Sequence, residues 1–232
     1  MRSFAARMME PISRVEDGVD VSRWRDPVRL MTFAAVSAVI RLIGFVMVGR
    51  LSVAFAPGSQ MYEFLSIGGY IAAAFFVIIL ILALLSHFAW HGATPRIAIP
   101  ILVAYLVVAT LNVFIVVTTL VFSARLSHVD QTSLIIDLCL TYVMMILLFS
   151  LWYQLADVHL PGGAVDFPEN GAKPDFQPIW FDYLFLSFNT SSTFGPTLEG
   201  VRTRPAKALM MVQTAVSLLM LIVVVARIVQ AI

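Results

Sequence analysis

Long runs of apolar residues dominate the chain. Four of them contain few charged residues and lie at 67–85, 97–122, 134–155 and 206–228. A helix needs about 20 apolar residues to cross a bilayer, and each run reaches roughly that length. Because lipid cannot satisfy unpaired backbone groups, such runs predict membrane-spanning helices.

A fifth apolar run at 30–49 is interrupted by Arg41. A charge at mid-membrane costs at least about 2.5 kcal/mol, so two arrangements stay open. With five spans and the N-terminus inside, eleven flanking Lys and Arg lie inside and three outside. With residues 30–49 in the interface there are four spans, and ten lie inside against five outside. Both arrangements satisfy the positive-inside rule.

The composition agrees with a membrane protein. Hydrophobic residues make up 60% of the chain and charged residues 12%, with a mean hydropathy of +0.91. We therefore expect an all-α, polytopic bundle of about five helices in a lipid bilayer: a charged arm at 1–29 and one membrane domain at 30–232. Multi-pass insertion in a bacterial inner or plasma membrane is the expected localisation.

Other classes of function find no support in the sequence. The net charge is +1 and no basic patch is interleaved with aromatics, so we expect no nucleic-acid partner. Nucleophile elbows, HExxH motifs and phosphate loops are missing, and we expect neither an enzyme nor a bound cofactor or metal. Acidic residues such as Asp157 and Asp166 fall near a Pro- and Gly-rich stretch, which we interpret as a solvated loop.

The connection before the last run contains a second kind of segment. Residues 179–188 are apolar and aromatic but too short to span, which predicts a short re-entrant or interfacial helix. A polar cluster follows it and ends at a Gly-Pro pair. The candidate pore-like residues are Asn189, Thr190, Ser191, Ser192, Thr193, Phe194 and Gly195. The other interpretation of the hydroxyls is a helix cap and turn at the membrane surface.

The segment SFNTSSTFGPT resembles a degenerate potassium-channel pore signature, T-x-T-T-V-G-Y-G. Thr190 and Thr193 match two of its threonines, and Gly195 matches its first glycine. The resemblance covers the pore-module-like part at 178–232 and implies monovalent cations as partners and a homo-oligomer around the pore. Pro196 and Thr197 replace the aromatic and the second glycine, so a potassium filter of the usual shape is not expected.

A wider resemblance covers residues 50–232. It rests on the elements GRLSV, LWYQLAD, GGAVDFP and the final RPAKALMMVQTAVSLLMLIVVVARIVQAI. Together they resemble an uncharacterised bacterial family of small polytopic membrane proteins with ion-channel-like C-terminal halves.

Three functions remain open from the sequence. The first is an ion-channel-like protein that conducts cations with weak selectivity, and the second is a non-conducting structural or partner-binding membrane protein. The weakest is a small-solute transporter, because no inverted repeat is visible. Separately, Arg41 and Asp137 are the candidate buried charge pair, since charges inside a membrane usually pair.

Overall fold

The computed structural model describes residues 27–54, 60–88, 94–123, 131–160, 163–168, 176–193 and 199–231. Within them the fold is all-α, with six helices and one short ribbon. In chain order the elements are α1 (Pro27–Ala54), α2 (Gln60–Phe88), α3 (Thr94–Ser123), α4 (Gln131–His159), β1 (Val165–Asp166), α5 (Trp180–Thr193), β2 (Gly200–Val201) and α6 (Arg204–Ala231). Residues 1–26 of the predicted arm lie outside the described residues.

Each of the five apolar runs lies within one helix, as predicted. Four helices are long and apolar enough to cross a membrane: Val28–Arg50, Ile99–Leu120, Thr132–His159 and Arg204–Ala226. The run that contains Arg41 is therefore among them. In α2 the described apolar stretch is Gly69–Ile81.

Local sequence signals explain where the helices begin. Pro27 opens α1, where a missing N–H costs nothing because the first turn has no intrahelical acceptor. At α5 the Asp182 carboxylate accepts a hydrogen bond from the Ile179 N–H at 2.7 Å, which is half of a capping box. At α6 the Thr203 hydroxyl accepts from the Ala206 N–H at 3.4 Å.

Helix α4 is the centre of the bundle. It contacts α1, α3, α5 and α6. Of the most apolar segment of α4, 61% is buried inside the chain. Of the most apolar segment of α6, only 22% is buried, so most of the last helix faces away from the other helices. Helix α5 packs mainly on α4 and less extensively on α6. The short helix is therefore part of the bundle.

The ribbon joins the end of α4 to the start of α6. Val165 pairs with Val201 and Asp166 with Gly200 in antiparallel register. Val165 and Phe167 are buried, and the Phe167 ring meets that of Tyr183 edge-on at a centroid distance of 5.5 Å. The prediction of a solvated loop is thus partly wrong, because the described part of this segment contains buried residues that close one end of the bundle.

Candidate functional site

Asp157 fixes the end of α4 to the segments that follow it. One carboxylate oxygen accepts hydrogen bonds from the backbone N–H groups of Ala164 at 2.6 Å and Val165 at 2.9 Å. The other accepts from the Tyr183 hydroxyl at 2.8 Å. Asp157 is buried, so these three donors replace the water that a carboxylate would otherwise need. This arrangement positions α5 against α4.

Gly163 makes this turn possible, and its replacement tests the turn. Its φ of 78° lies in the left-handed region, and an added Cβ would stand 2.9 Å from the Asp157 carboxylate oxygen. That oxygen is already held by two N–H groups. We expect Gly163→Ala to lower the free energy of unfolding by about 2 kcal/mol.

Detergent-micelle unfolding of the purified variants measures this effect. The control is Gly69→Ala, because a Cβ at Gly69 meets nothing within 4 Å and alanine is favourable in a helix. That variant should unfold within about 1 kcal/mol of the wild type. Equal losses of stability in the two variants would contradict the role given to Gly163.

Gln213 occupies the junction of α4, α5 and α6. Its side-chain N–H group lies 2.8 Å from both the carbonyl and the hydroxyl oxygen of Ser187, and 2.7 Å from the Ser191 hydroxyl. Its carbonyl oxygen accepts from the Tyr153 hydroxyl at 2.8 Å. All four side chains are buried. One amide therefore links the three helices inside the chain.

Further bonds tie α5 to α4. The Ser187 hydroxyl donates to the Ile146 carbonyl at 2.7 Å, which leaves its lone pairs free to accept from Gln213. The Trp180 indole donates to the Ser150 hydroxyl at 3.0 Å. Because bonds occur near both ends of α5, the short helix is held along its length.

The pore-like residues at 189–193 lie in the last turns of α5, because this helix continues through Thr193. Thr190 is buried and its hydroxyl donates to the Leu186 carbonyl at 2.8 Å, while the exposed Ser192 donates to Phe188 at 2.9 Å. Helices bind Ser and Thr hydroxyls in this way readily.

The remaining members of the set have separate positions. Asn189 is half-buried and Ser191 is buried against Gln213. Phe194 and Gly195, which carry the filter part of the resemblance, lie outside the described residues. Among the described residues, the set is therefore represented by positions 189–193.

A cleft of about 440 Å³ opens beside the end of α5, between α4 and α6. We call it the serine cleft, and its lining includes Cys139, Tyr142, Ser191, Ser192 and Ser217. The Ser217 hydroxyl donates to the Gln213 carbonyl at 2.8 Å. The rest of the wall is aliphatic, so few oxygens face the space.

The buried charge pair forms with a different arginine from the one predicted. The Arg50 Nε lies 2.6 Å from an Asp137 carboxylate oxygen, so the assignment of Asp137 to Arg41 is wrong. Arg50 was counted as a flanking charge in the sequence, because it follows the apolar run. Helix α1 extends to Ala54, which places Arg50 within the helix and beside α4.

Arg41 lies in the middle of its helix without a carboxylate partner among the described residues. It is half-buried. One turn earlier in α1, the Ser37 carbonyl accepts a hydrogen bond from the Tyr105 hydroxyl of α3 at 3.5 Å.

These features define a polytopic membrane protein with an internally bonded C-terminal three-helix unit. Comparison with protein families, with curated proteins and with solved structures finds no match to the chain.

Proposed function

We propose that this protein is a non-conducting structural or partner-binding component of its membrane. The observation that carries the proposal is the closed network around Gln213. Its amide binds Ser187 and Ser191, and each of these residues is at most 3% exposed. Of the pore-like residues, Ser191 is therefore bonded to another helix of the same chain.

The chemistry of ion filters gives this observation its weight. A filter replaces the hydration shell of an ion with oxygens that point to a common axis. Here the Thr190 hydroxyl donates to its own helix and the Ser187 hydroxyl donates to α4. The serine cleft offers a few hydroxyls in an aliphatic wall, which cannot compensate a cation for lost water.

An ion-channel-like homo-oligomer is the second candidate. In its favour, a short helix and hydroxyl-bearing residues stand directly before the last long helix, in the order that potassium channels use. Phe181, Phe185 and Phe188 also form an exposed stripe on α5, which a neighbouring chain could cover. Pro196 and Thr197 make any such flux weakly selective.

The proposal includes five membrane crossings with the N-terminus in the cytoplasm. Helix α2 has 29 residues and packs against α1 and α3, both of which are long enough to span. At about 1.5 Å per residue its length exceeds the roughly 30 Å of the hydrocarbon layer. This topology agrees with eleven flanking basic residues inside against three outside.

Ion flux through purified protein in liposomes tests the proposal. We expect potassium and sodium release to equal that of protein-free vesicles at every voltage tested, with a pore-forming peptide as the positive control. Flux that is reduced by Thr193→Ala or Gly195→Ala, but not by Ser66→Ala on α2, where the hydroxyl donates to its own helix, would overturn it in favour of the channel.

A further inference from the structure

A second cleft, of about 560 Å³, lies between α3, α4 and α6. We call it the tryptophan cleft, and its lining includes Val103, Phe149, Trp152, His159, Pro205 and Ala208. Pockets that bind small molecules commonly measure about 300–1,000 Å³. Its size therefore suits an organic ligand or part of a lipid.

The surface of this cleft is hydrocarbon. Two hydrogen-bonding groups lie along its walls, the Trp152 indole and the Thr110 hydroxyl, and both already have partners. The indole donates to the Thr110 hydroxyl at 2.9 Å, and this hydroxyl donates to the Leu106 carbonyl at 2.7 Å. A ligand gains nothing from polar groups along these walls. The occupant must present an apolar chain.

One end of the cleft is different. His159 and Pro205 close it, at the point where α4 ends and α6 begins, and the His159 Nδ1 is buried without a hydrogen-bond partner among the described residues. Arg204 and Lys207 project from the first turn of α6, and no described carboxylate pairs with either. In contrast, Arg202 is bound to Asp166 at 2.5 Å.

Arg204 and Lys207 lie at the level of the lipid headgroups when α4 and α6 span the membrane. The candidate spans Thr132–His159 and Arg204–Ala226 end and begin at this side of the bundle, so His159 and Arg204 mark the same membrane surface. The N-terminus of α6 adds a partial positive charge. Basic pockets between transmembrane helices are known to suit anionic headgroups.

We infer that the tryptophan cleft binds a phospholipid with an anionic headgroup. One acyl chain lies against α4 and α6 in the cleft, and the phosphate stands at its end, where Arg204 and Lys207 attract it and His159 can donate a hydrogen bond. The site is independent of the proposed function, because it uses neither the Gln213 network nor the pore-like residues.

Quenching of Trp152 fluorescence tests this site. The chain has four tryptophans, so Trp24, Trp90 and Trp180 are replaced by Phe to leave Trp152 as the reporter. Trp152 is seven residues before His159, about 10 Å deeper along the helix, at acyl-chain depth. The protein is reconstituted in phosphatidylcholine vesicles in which one quarter of the lipid is brominated phosphatidylglycerol or, in parallel, brominated phosphatidylcholine.

We expect phosphatidylglycerol to bind about tenfold more strongly than phosphatidylcholine, as judged from quenching over a range of mole fractions. Arg204→Ala with Lys207→Ala should abolish this preference, while the charge-conserving Arg204→Lys with Lys207→Arg should retain it. Ala208→Phe, which fills the cleft, should reduce quenching by both lipids.

Four outcomes would overturn the inference. Equal quenching by the two lipids, or a preference that survives the loss of both charges, excludes an anionic headgroup. Absence of quenching by either lipid indicates that another chain covers the cleft. If inorganic phosphate removes the preference for phosphatidylglycerol while quenching by the acyl chains stays as strong as before, the charges form an ion site alone.

A second measurement avoids dependence on the tryptophan variants. Wild-type protein purified from a membrane that contains both lipids is analysed by mass spectrometry for retained phospholipid. We expect anionic lipid to be enriched about tenfold over its share of the membrane, and enrichment to disappear in Arg204→Ala with Lys207→Ala. No enrichment in the wild type would refute the site.

Discussion

Replacing Gln213 by Met lowers the free energy of unfolding by about 2–3 kcal/mol. The amide has two N–H hydrogens for three oxygens and accepts one bond from Tyr153, so about three hydrogen bonds are lost. Interhelical bonds in membranes contribute on average about 0.6 and at most about 1.7 kcal/mol each. The methionine fills a similar volume but leaves the Tyr153 hydroxyl and the oxygens of Ser187 and Ser191 buried without their partner. Equilibrium unfolding in mixed micelles measures the loss.

The matched control is Gln177→Met. Gln177 is exposed just before α5, so this change makes the same chemical replacement outside the network and should alter stability by less than about 0.5 kcal/mol. If Gln213→Met unfolds like Gln177→Met, the amide is not the link between α4, α5 and α6. The proposed function would then lose its main observation.

Removing Arg50 destabilises the protein more than removing its partner does. The Asp137 side chain is 5% exposed whereas that of Arg50 is 37% exposed. Arg50→Met leaves a carboxylate buried and unpaired, for which we expect a loss of about 2–3 kcal/mol after allowance for the exposed side of the arginine. Asp137→Asn leaves an arginine that can reach polar surroundings, and should cost about 1 kcal/mol.

Arg41→Met is the control for charge removal from the same helix. Arg41 has no carboxylate partner among the described residues, and an unpaired charge at mid-membrane is costly, so stability should be unchanged or higher. A double-mutant cycle of Arg50→Met with Asp137→Asn gives the coupling energy. A greater loss for Arg41→Met than for Arg50→Met, or a coupling energy near zero in the cycle, would contradict the role given to the Arg50–Asp137 pair.

The helices could be predicted because apolar length is a local property. All five long runs fall within helices, and the short segment at 179–188 lies in α5 except for its first residue, Ile179. Their boundaries were less accurate: α1 extends past Arg50 and α5 past Phe188, since polar residues continue a helix when a neighbouring helix binds their side chains. That condition depends on tertiary contacts that a single run does not contain.

The polar interactions could not be assigned from sequence for the same reason. Gln213 and Asp157 were visible as polar residues within or beside apolar runs, but their partners lie 22–60 and 7–26 residues away along the chain. Helix α1 contains three arginines, and the sequence favoured the one inside the apolar run as the partner of Asp137. The structure instead pairs Asp137 with Arg50, one residue beyond that run.

The order in which the partners of α5 are synthesised has a consequence for biogenesis. All three donors to Asp157 precede residue 184, so the α4–α5 hairpin can close as soon as Tyr183 has left the ribosome. The Ser191 hydroxyl and the Ser187 carbonyl must wait for Gln213, which follows by more than twenty residues. Until then α5 is bonded to α4 alone, and its Ser187 carbonyl and Ser191 hydroxyl lack the amide that completes the network when α6 arrives.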